Sequence, residues 1–140
     1  MDFTRRNILA LGSGAFAVAT FASLPAYASK TDDAIAAFTG GAGVTDGGVV
    51  MTAPEIAENG NTVPVAVSAP GAVSIMVLAT GNPTPAVATF NFGPLAGARS
   101  GSTRIRLAKT QDVIAIAKME DGTFRRAGAT VKVTIGGCGG

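Results

Sequence analysis

Apolar and polar residues alternate with a period of two through most of the chain after residue 48, and this pattern predicts β-strands. A short helix precedes them over residues 32–38, where acidic residues come first, apolar residues follow at helical spacing and Thr39-Gly40-Gly41 ends the run. Residues 72–79 are almost continuously apolar, as in a strand buried on both faces. The predicted strands span residues 49–52, 62–68, 72–79, 86–92, 103–108, 112–119, 123–128 and 129–135.

The clearest supersecondary element is a hairpin in which residues 112–119 and 123–128 join across Glu120-Asp121-Gly122. Turn residues recur at the short intervals typical of sandwiches, and about 90 residues hold seven or eight strands. Pro64 favours an edge position or a strand start, because proline lacks the N–H that a central strand uses. The pattern predicts an all-β fold, an immunoglobulin-like antiparallel β-sandwich with a short N-terminal helix and a flexible C-terminal arm.

The N-terminus has the pattern of a twin-arginine export signal. Arg5 and Arg6 directly precede an apolar run, and Ala26-Tyr27-Ala28 fits a cleavage site. A membrane-anchoring helix is the less favoured alternative, because glycines and a proline interrupt the run and no stop-transfer charges follow. We therefore expect a signal peptide over residues 1–28, one domain over residues 29–135, a periplasmic location and no membrane span.

Composition excludes several classes of function. The net charge is +2 and the basic residues are scattered, so no stripe can follow a nucleic-acid backbone. The chain has no histidine, which removes the commonest general base and metal ligand, and its single cysteine cannot form a metal site alone. We expect no metal and no cofactor. With 19 glycines and no tryptophan, alanine, valine and isoleucine must supply most of a thin core.

The candidate chemistry lies in the last five residues, Gly136-Gly137-Cys138-Gly139-Gly140. Glycine has access to nearly all backbone conformations, so this segment is predicted to be a flexible arm with a reach of about 17 Å. A thiol on such an arm can enter the narrow active site of another protein. The glycines supply no activating charge, and no histidine is present to act as a base, so the receiving enzyme is expected to activate the sulfur.

Two other interpretations of Cys138 stay open at this point. An odd cysteine in an exported protein can form an intermolecular disulfide, which would make the chain a structural or adhesion-type sandwich, and a glycine-rich tail can be simple disorder. A self-contained enzyme is a third and weaker option, because the absence of histidine argues against it. A carrier is expected to bear sulfur adducts on Cys138 and to lose function when the residue is replaced by serine.

The sequence resembles the SoxY family, the sulfur-carrier subunits of the bacterial Sox thiosulfate-oxidising system. The resemblance implies an immunoglobulin-like fold, covalent attachment of sulfur intermediates to Cys138 and a carrier without catalytic activity. It also implies a heterodimer with a SoxZ-like subunit and transient docking to SoxXA, SoxB and SoxCD enzymes. The residues that carry it are 54–65, Gly81-Asn82-Pro83 with 87–90, 102–108 and the terminal segment 131–140, which is the most specific.

Three other features have ordinary structural interpretations. Residues 54–61 contain the proline and Asn-Gly chemistry of turns, and the side chains of Arg104 and Arg106 are expected on a solvated strand face. Glu55 and Glu58 lie three residues apart, but nothing in the pattern places a substrate between them. The predicted site therefore consists of Cys138 with Gly136, Gly137, Gly139 and Gly140.

Overall fold

The computed structural model describes residues 26–135, with side chains from Lys30 onward. The described chain contains one helix followed by nine strands. Their bounds are α1 (Ala26–Thr39), β1 (Val44–Asp46), β2 (Val50–Thr52), β3 (Ile56–Ala57), β4 (Val63–Ser68), β5 (Ala72–Ala79), β6 (Ala86–Asn91), β7 (Ser100–Ile105), β8 (Gln111–Met119) and β9 (Phe124–Val133).

Two sheets pack face to face and form the predicted all-β sandwich. The larger sheet has the order β1-β9-β8-β5-β6, with β3 as an additional partner of β9, and the smaller sheet has the order β2-β4-β7. The strand pairs are antiparallel, with two exceptions: β1 and β3 both lie parallel to β9. The predicted antiparallel sandwich therefore also contains two short parallel pairs.

The main core lies between the sheets and consists of small and branched side chains. Val63 and Val65 of β4 and Ile75 and Val77 of β5 belong to it, each at most 3% exposed. Burying one such valine or isoleucine stabilises a fold by about 1.5–3 kcal/mol. Alternate residues of β4 point away from this core, which explains why its sequence alternates. The predicted core of alanine, valine and isoleucine is confirmed.

Helix α1 covers the outer face of the larger sheet. Its Ile35 and Phe38 pack on a second apolar cluster that includes Met76 and Ile116, and the ring centroid of Phe38 lies 5.9 Å from that of Phe124 at an edge-on angle. Strand β5 is consequently buried on both faces, as its continuous apolar run predicted. The helix ends where Gly40 takes a φ of 66°, and its N–H donates to the Ala36 carbonyl.

The structure changes several predicted boundaries. The helix runs from Ala26 to Thr39, longer than predicted, so the expected cleavage after Ala28 falls within it. Residues 1–25 lie outside the described residues, and the export signal stays a prediction. The strands predicted at 123–128 and 129–135 are one strand, β9, because Gly128 and Ala129 continue the ladder with β8. Strand β7 ends at Ile105, three residues earlier than predicted, because its ladder with β4 ends at Val63.

Candidate functional site

The predicted site residues, Cys138 and its four flanking glycines, lie outside the described residues. The structure shows how the chain leads to them. Strand β9 carries the chain out of the sandwich, and Ile135, the last described residue, precedes Cys138 by three positions. We call residues 132–135 the arm root. Its hydrogen-bond partners determine where the chain leaves the domain.

The arm root is held differently from the rest of β9. The regular ladder between β8 and β9 ends at the pair Gln111–Val131. Beyond this pair the chain is bound by strand β3 and the loop that follows it, residues 55–60, which we call the β3 segment. Three backbone hydrogen bonds join the β3 segment to the arm root: Lys132 N to Glu55 O (2.9 Å), Thr134 N to Ala57 O (3.0 Å) and Gly60 N to Ile135 O (2.8 Å).

Two threonine hydroxyls add to this attachment. The hydroxyl of Thr134 donates to the Glu58 carbonyl at 3.1 Å and lies 3.4 Å from the Ala57 carbonyl. On the other side of the arm root, the N–H of Val133 donates to Oγ1 of Thr110 at 2.9 Å, and the Thr110 hydroxyl lies 3.4 Å from the Val133 carbonyl. The arm root is therefore bound from both sides up to its last residue.

The loop that carries Thr110 is fixed by a buried amide pair, Asn82 and Gln111, which are 8% and 7% exposed. These two side chains tie the β5–β6 turn to the loop between β7 and β8, so the position of Thr110 depends on them. Their hydrogen bonds are Asn82 Nδ2 to Arg106 O (2.7 Å), Ala108 N to Asn82 Oδ1 (3.0 Å), Gln111 Nε2 to Asn82 Oδ1 (2.9 Å) and Lys109 O (2.9 Å), and Gly81 N to Gln111 Oε1 (2.8 Å).

A groove of about 600 Å³ lies on the outer face of the smaller sheet. Pro54 and Pro64 line it together with small side chains such as Ala66 and Ser102, and Arg104 is the one charged residue among its lining. The pairing of β2 with β4 covers only residues 66–68, so Pro64 lies beyond the end of β2. The expectation that Pro64 marks a strand start or an unpaired edge agrees with this position.

The charged residues discussed from the sequence are exposed to solvent. Arg104 and Arg106 lie at the end of β7 and just beyond it, and Glu55 and Glu58 lie in the β3 segment. Both arginine side chains are exposed, as predicted, and Arg106 lies just past the end of β7. Within residues 26–135, no group of three or more histidine, cysteine, aspartate or glutamate side chains is placed to hold a metal ion. No helix in this part of the chain is long and apolar enough to cross a membrane.

Among the described residues, the one carboxyl group with a clearly shifted pKa is that of Asp121, in the turn between β8 and β9 and at the opposite end of β9 from the arm root. The hydroxyl of Thr123 donates to Oδ1 of Asp121 at 2.6 Å and its N–H donates to the same atom at 2.9 Å. These bonds, with a smaller contribution from the charge of Arg125, hold the pKa of Asp121 below its ordinary value. This turn is a structural feature of the hairpin.

Sequence reasoning missed the attachment of the arm root. Residues 54–61 and Gly81-Asn82-Pro83 were recognised only as parts of a resemblance and as turns. The structure shows that the first contains the β3 segment and the second supplies Asn82. The sequence offers two signals of this attachment: Asn82, which stands between a glycine and a proline, and Thr134, which stands near the end of the last strand. Neither residue indicates by its position in the sequence which group it binds.

Comparison with known proteins gives a consistent result. Residues 35–138 match the family described as sulfur oxidation protein SoxY. The chain is similar to the sulfur carrier protein SoxY from Chlorobium limicola f thiosulfatophilum, with 41% identity over 77% of this chain and 99% of that one and a TM-score of 0.68. A superoxide reductase (neelaredoxin) from Ignicoccus hospitalis shares the fold at 18% identity, covering 62% of this chain and 80% of that one, with a TM-score of 0.55. No curated protein sequence matches the chain.

Proposed function

Because the chain belongs to the SoxY family of sulfur oxidation proteins, we propose that it carries the sulfur intermediates of thiosulfate oxidation covalently on the thiol of Cys138. The observation that supports this most directly is the extent of the family match, which runs from residue 35 to residue 138 and so includes the single cysteine of the chain. The fold agrees, since the last strand of the sandwich leads directly into the segment that contains Cys138.

The proposed cycle is chemically balanced. In the first step the thiol of Cys138 and thiosulfate lose two electrons and one proton and form an S–S bond, which gives a cysteine thiosulfonate, and a haem enzyme of the SoxXA type accepts the electrons. In the second step a SoxB-type hydrolase adds water to the sulfonate sulfur, releases sulfate and a proton, and leaves a persulfide on Cys138. In the third step a SoxCD-type enzyme accepts six electrons from the persulfide, whose outer sulfur gains three oxygens from water with release of seven protons, and a sulfonate remains on the sulfur of Cys138.

The chain itself contributes a thiol and its attachment to the domain. An ordinary thiol is mostly protonated at neutral pH, and a histidine base is absent from the sequence, so the receiving enzymes supply the activation. The protein is accordingly a carrier without catalytic activity of its own. A SoxZ-like subunit is its proposed heterodimer partner, and the twin-arginine signal is proposed to place both in the periplasm, because that route exports folded proteins together.

Intact-mass spectrometry of the native protein, purified from a periplasm supplied with thiosulfate, tests the proposal. We expect added masses of thiosulfate or of one or more sulfur atoms on the C-terminal peptide, which a reductant removes. Cys138→Ser is the matched control, because it leaves the chain without a thiol, and it should show no added mass. An unmodified thiol, or a plain homodimer disulfide, would contradict the carrier function and favour the structural alternative.

A further inference from the structure

We propose that the free edge of strand β7 binds an extended segment of another protein, whose side chains are acidic on one face and apolar on the other. Strand β7 is the last strand of the smaller sheet and pairs with β4 alone. Its free edge combines unpaired backbone groups, half-buried apolar side chains next to it and an excess of positive charge. These three features define the chemistry of the segment that fits there.

Three residues of β7 direct their main-chain groups away from β4: Ser100, Ser102 and Arg104. Pro64 has no N–H, so its pair with Arg104 is a non-hydrogen-bonded pair of the antiparallel ladder. The N–H of Ala69 donates to the Arg99 carbonyl at 2.9 Å, and this bond gives the ladder the same phase, because bonded and non-bonded pairs alternate. Within residues 26–135, no other backbone group binds the main chain of the three residues. Three N–H and three C=O groups can therefore pair with an added strand.

Strand β7 lacks the features that prevent strand addition at most sheet edges. Its ladder with β4 contains no bulge, and neither proline nor lysine occurs in residues 100–105. The opposite edge of the same sheet is β2, which is only three residues long and is protected by its shortness. Strand β7 offers six residues, or about 20 Å of extended chain, for pairing.

An added strand would also cover apolar side chains that the domain leaves half-buried. The ring of Phe90 in β6 lies against Gly101 of β7, where a Cβ would come within 2.5 Å of it. Phe90 and Phe92 pack on the main core, yet both remain half-buried. Gly101 and Thr103 pair with core residues of β4, so the neighbouring side chains of an added strand would face the same interior. We expect those side chains to be apolar.

The charges near β7 favour acidic side chains on the opposite face of the added strand. Residues 59–111, which include β4 to β7, contain four basic residues and no acidic one. Arg99 pairs with Glu120 at 3.4 Å, whereas Arg104 and Arg106 form no ion pair with any residue that the structure describes. The exposed Arg104 lines the groove on the outer face of the smaller sheet, where a carboxylate of the added strand can reach it. A second copy of this chain fits poorly, because pairing of β7 with β7 would bring two positively charged regions together.

Titration of the isotope-labelled protein, kept reduced, with the acetylated and amidated peptide Val-Glu-Val-Glu-Val-Glu-Val tests the proposal by NMR. We expect saturable binding that slows hydrogen exchange at the amides of Ser102 and Arg104. The amides of Gly101 and Thr103 already bond to β4, so they should exchange slowly both with and without peptide. A peptide with lysine in place of each glutamate has the same length and apolar face, and it should bind about tenfold more weakly.

Two substitutions separate the contribution of backbone pairing from that of charge. Ser102→Pro removes an N–H that points to the free edge and leaves the bonds to β4 in place, so the affinity for the glutamate peptide should fall about fivefold. Ser102→Ala is its matched control, because it keeps the N–H, and it should bind as the wild type does. Arg104→Gln should lower the affinity about threefold and weaken its dependence on salt. Lys118→Gln, at an exposed position of β8, should change neither.

Three results would overturn the proposal: no saturable binding up to millimolar peptide, equal affinity for the glutamate and lysine peptides, or binding that leaves exchange at Ser102 and Arg104 unchanged. Slowed exchange at these amides without peptide, increasing with protein concentration, would also overturn it, because the edge would then pair with a second copy. If Ser102→Pro does not fold, Arg104→Gln and the exchange pattern of the wild type decide the question.

Discussion

The side chain of Asn82 provides a direct test of how the end of the sandwich that holds residues 132–135 is stabilised. Asn82→Ala removes the amide that donates to the Arg106 carbonyl and accepts from the Ala108 N–H. Gln111 Nε2 keeps a second acceptor, the Lys109 carbonyl at 2.9 Å, so the cost falls on the other two groups. Leaving one buried polar group without a partner costs about 1–3 kcal/mol. Two groups lose their partner here, and water reaches both hydrogen bonds in part, so we expect a total loss of about 2–4 kcal/mol in the free energy of unfolding.

Urea unfolding followed by far-UV circular dichroism, with a reductant present, measures this loss. The chain has no tryptophan, so backbone signal is the suitable probe. With an m-value of about 2 kcal/mol/M, the midpoint of Asn82→Ala should fall by roughly 1–2 M at unchanged m. Asn91→Ala is the matched control, because Asn91 is exposed on β6, and its free energy of unfolding should stay within about 0.5 kcal/mol of the wild type.

A free energy of unfolding for Asn82→Ala equal to that of Asn91→Ala would refute the reasoning, because the buried carbonyl and amide would then cost nothing when left unsatisfied. A second consequence is local. The loop fixed by Asn82 carries Thr110, which binds the arm root. Hydrogen exchange at residues 132–135 should therefore accelerate in Asn82→Ala and stay unchanged in Asn91→Ala.

Three further predictions concern other parts of the fold. A Cβ at Gly101 would lie 2.5 Å from the ring of Phe90, so Gly101→Ala should destabilise the protein by about 1–3 kcal/mol in the same urea assay, and Phe90→Leu added to it should recover part of the loss. Gly122 has a φ of 83°, and Gly122→Ala should cost about 1–2 kcal/mol, whereas a wild-type midpoint would argue against strain there. The lowered pKa of Asp121 stabilises the fold above the ordinary aspartate pKa, and this contribution is lost as the pH falls through the folded-state pKa. In an NMR titration Thr123→Val should raise the pKa of Asp121, and an unchanged pKa would contradict the assignment to the Thr123 hydroxyl.

The strands that the sequence predicted well are those whose signal is local. In β4, β5 and β8 the burial of each residue follows from its own side chain and its parity along the strand, so alternation or a continuous apolar run is visible directly. The prediction failed at Gly128, which looked like a turn but continues β9. It also failed at β1 and β3, which are three and two residues long and exist only because β9 offers them a partner.

By itself the sequence determined the β-sandwich, the absence of a histidine base and the single thiol between pairs of glycines, because these depend on residue type and short-range order. The point at which the chain leaves the sandwich was decided by tertiary structure alone. Thr134 and the carbonyl of Ala57 are 77 residues apart in the chain, and neither type of residue indicates the other. Hydrogen bonds between such distant segments form only once the sheets have brought the segments together. The pattern of residues along the chain therefore does not predict which groups pair.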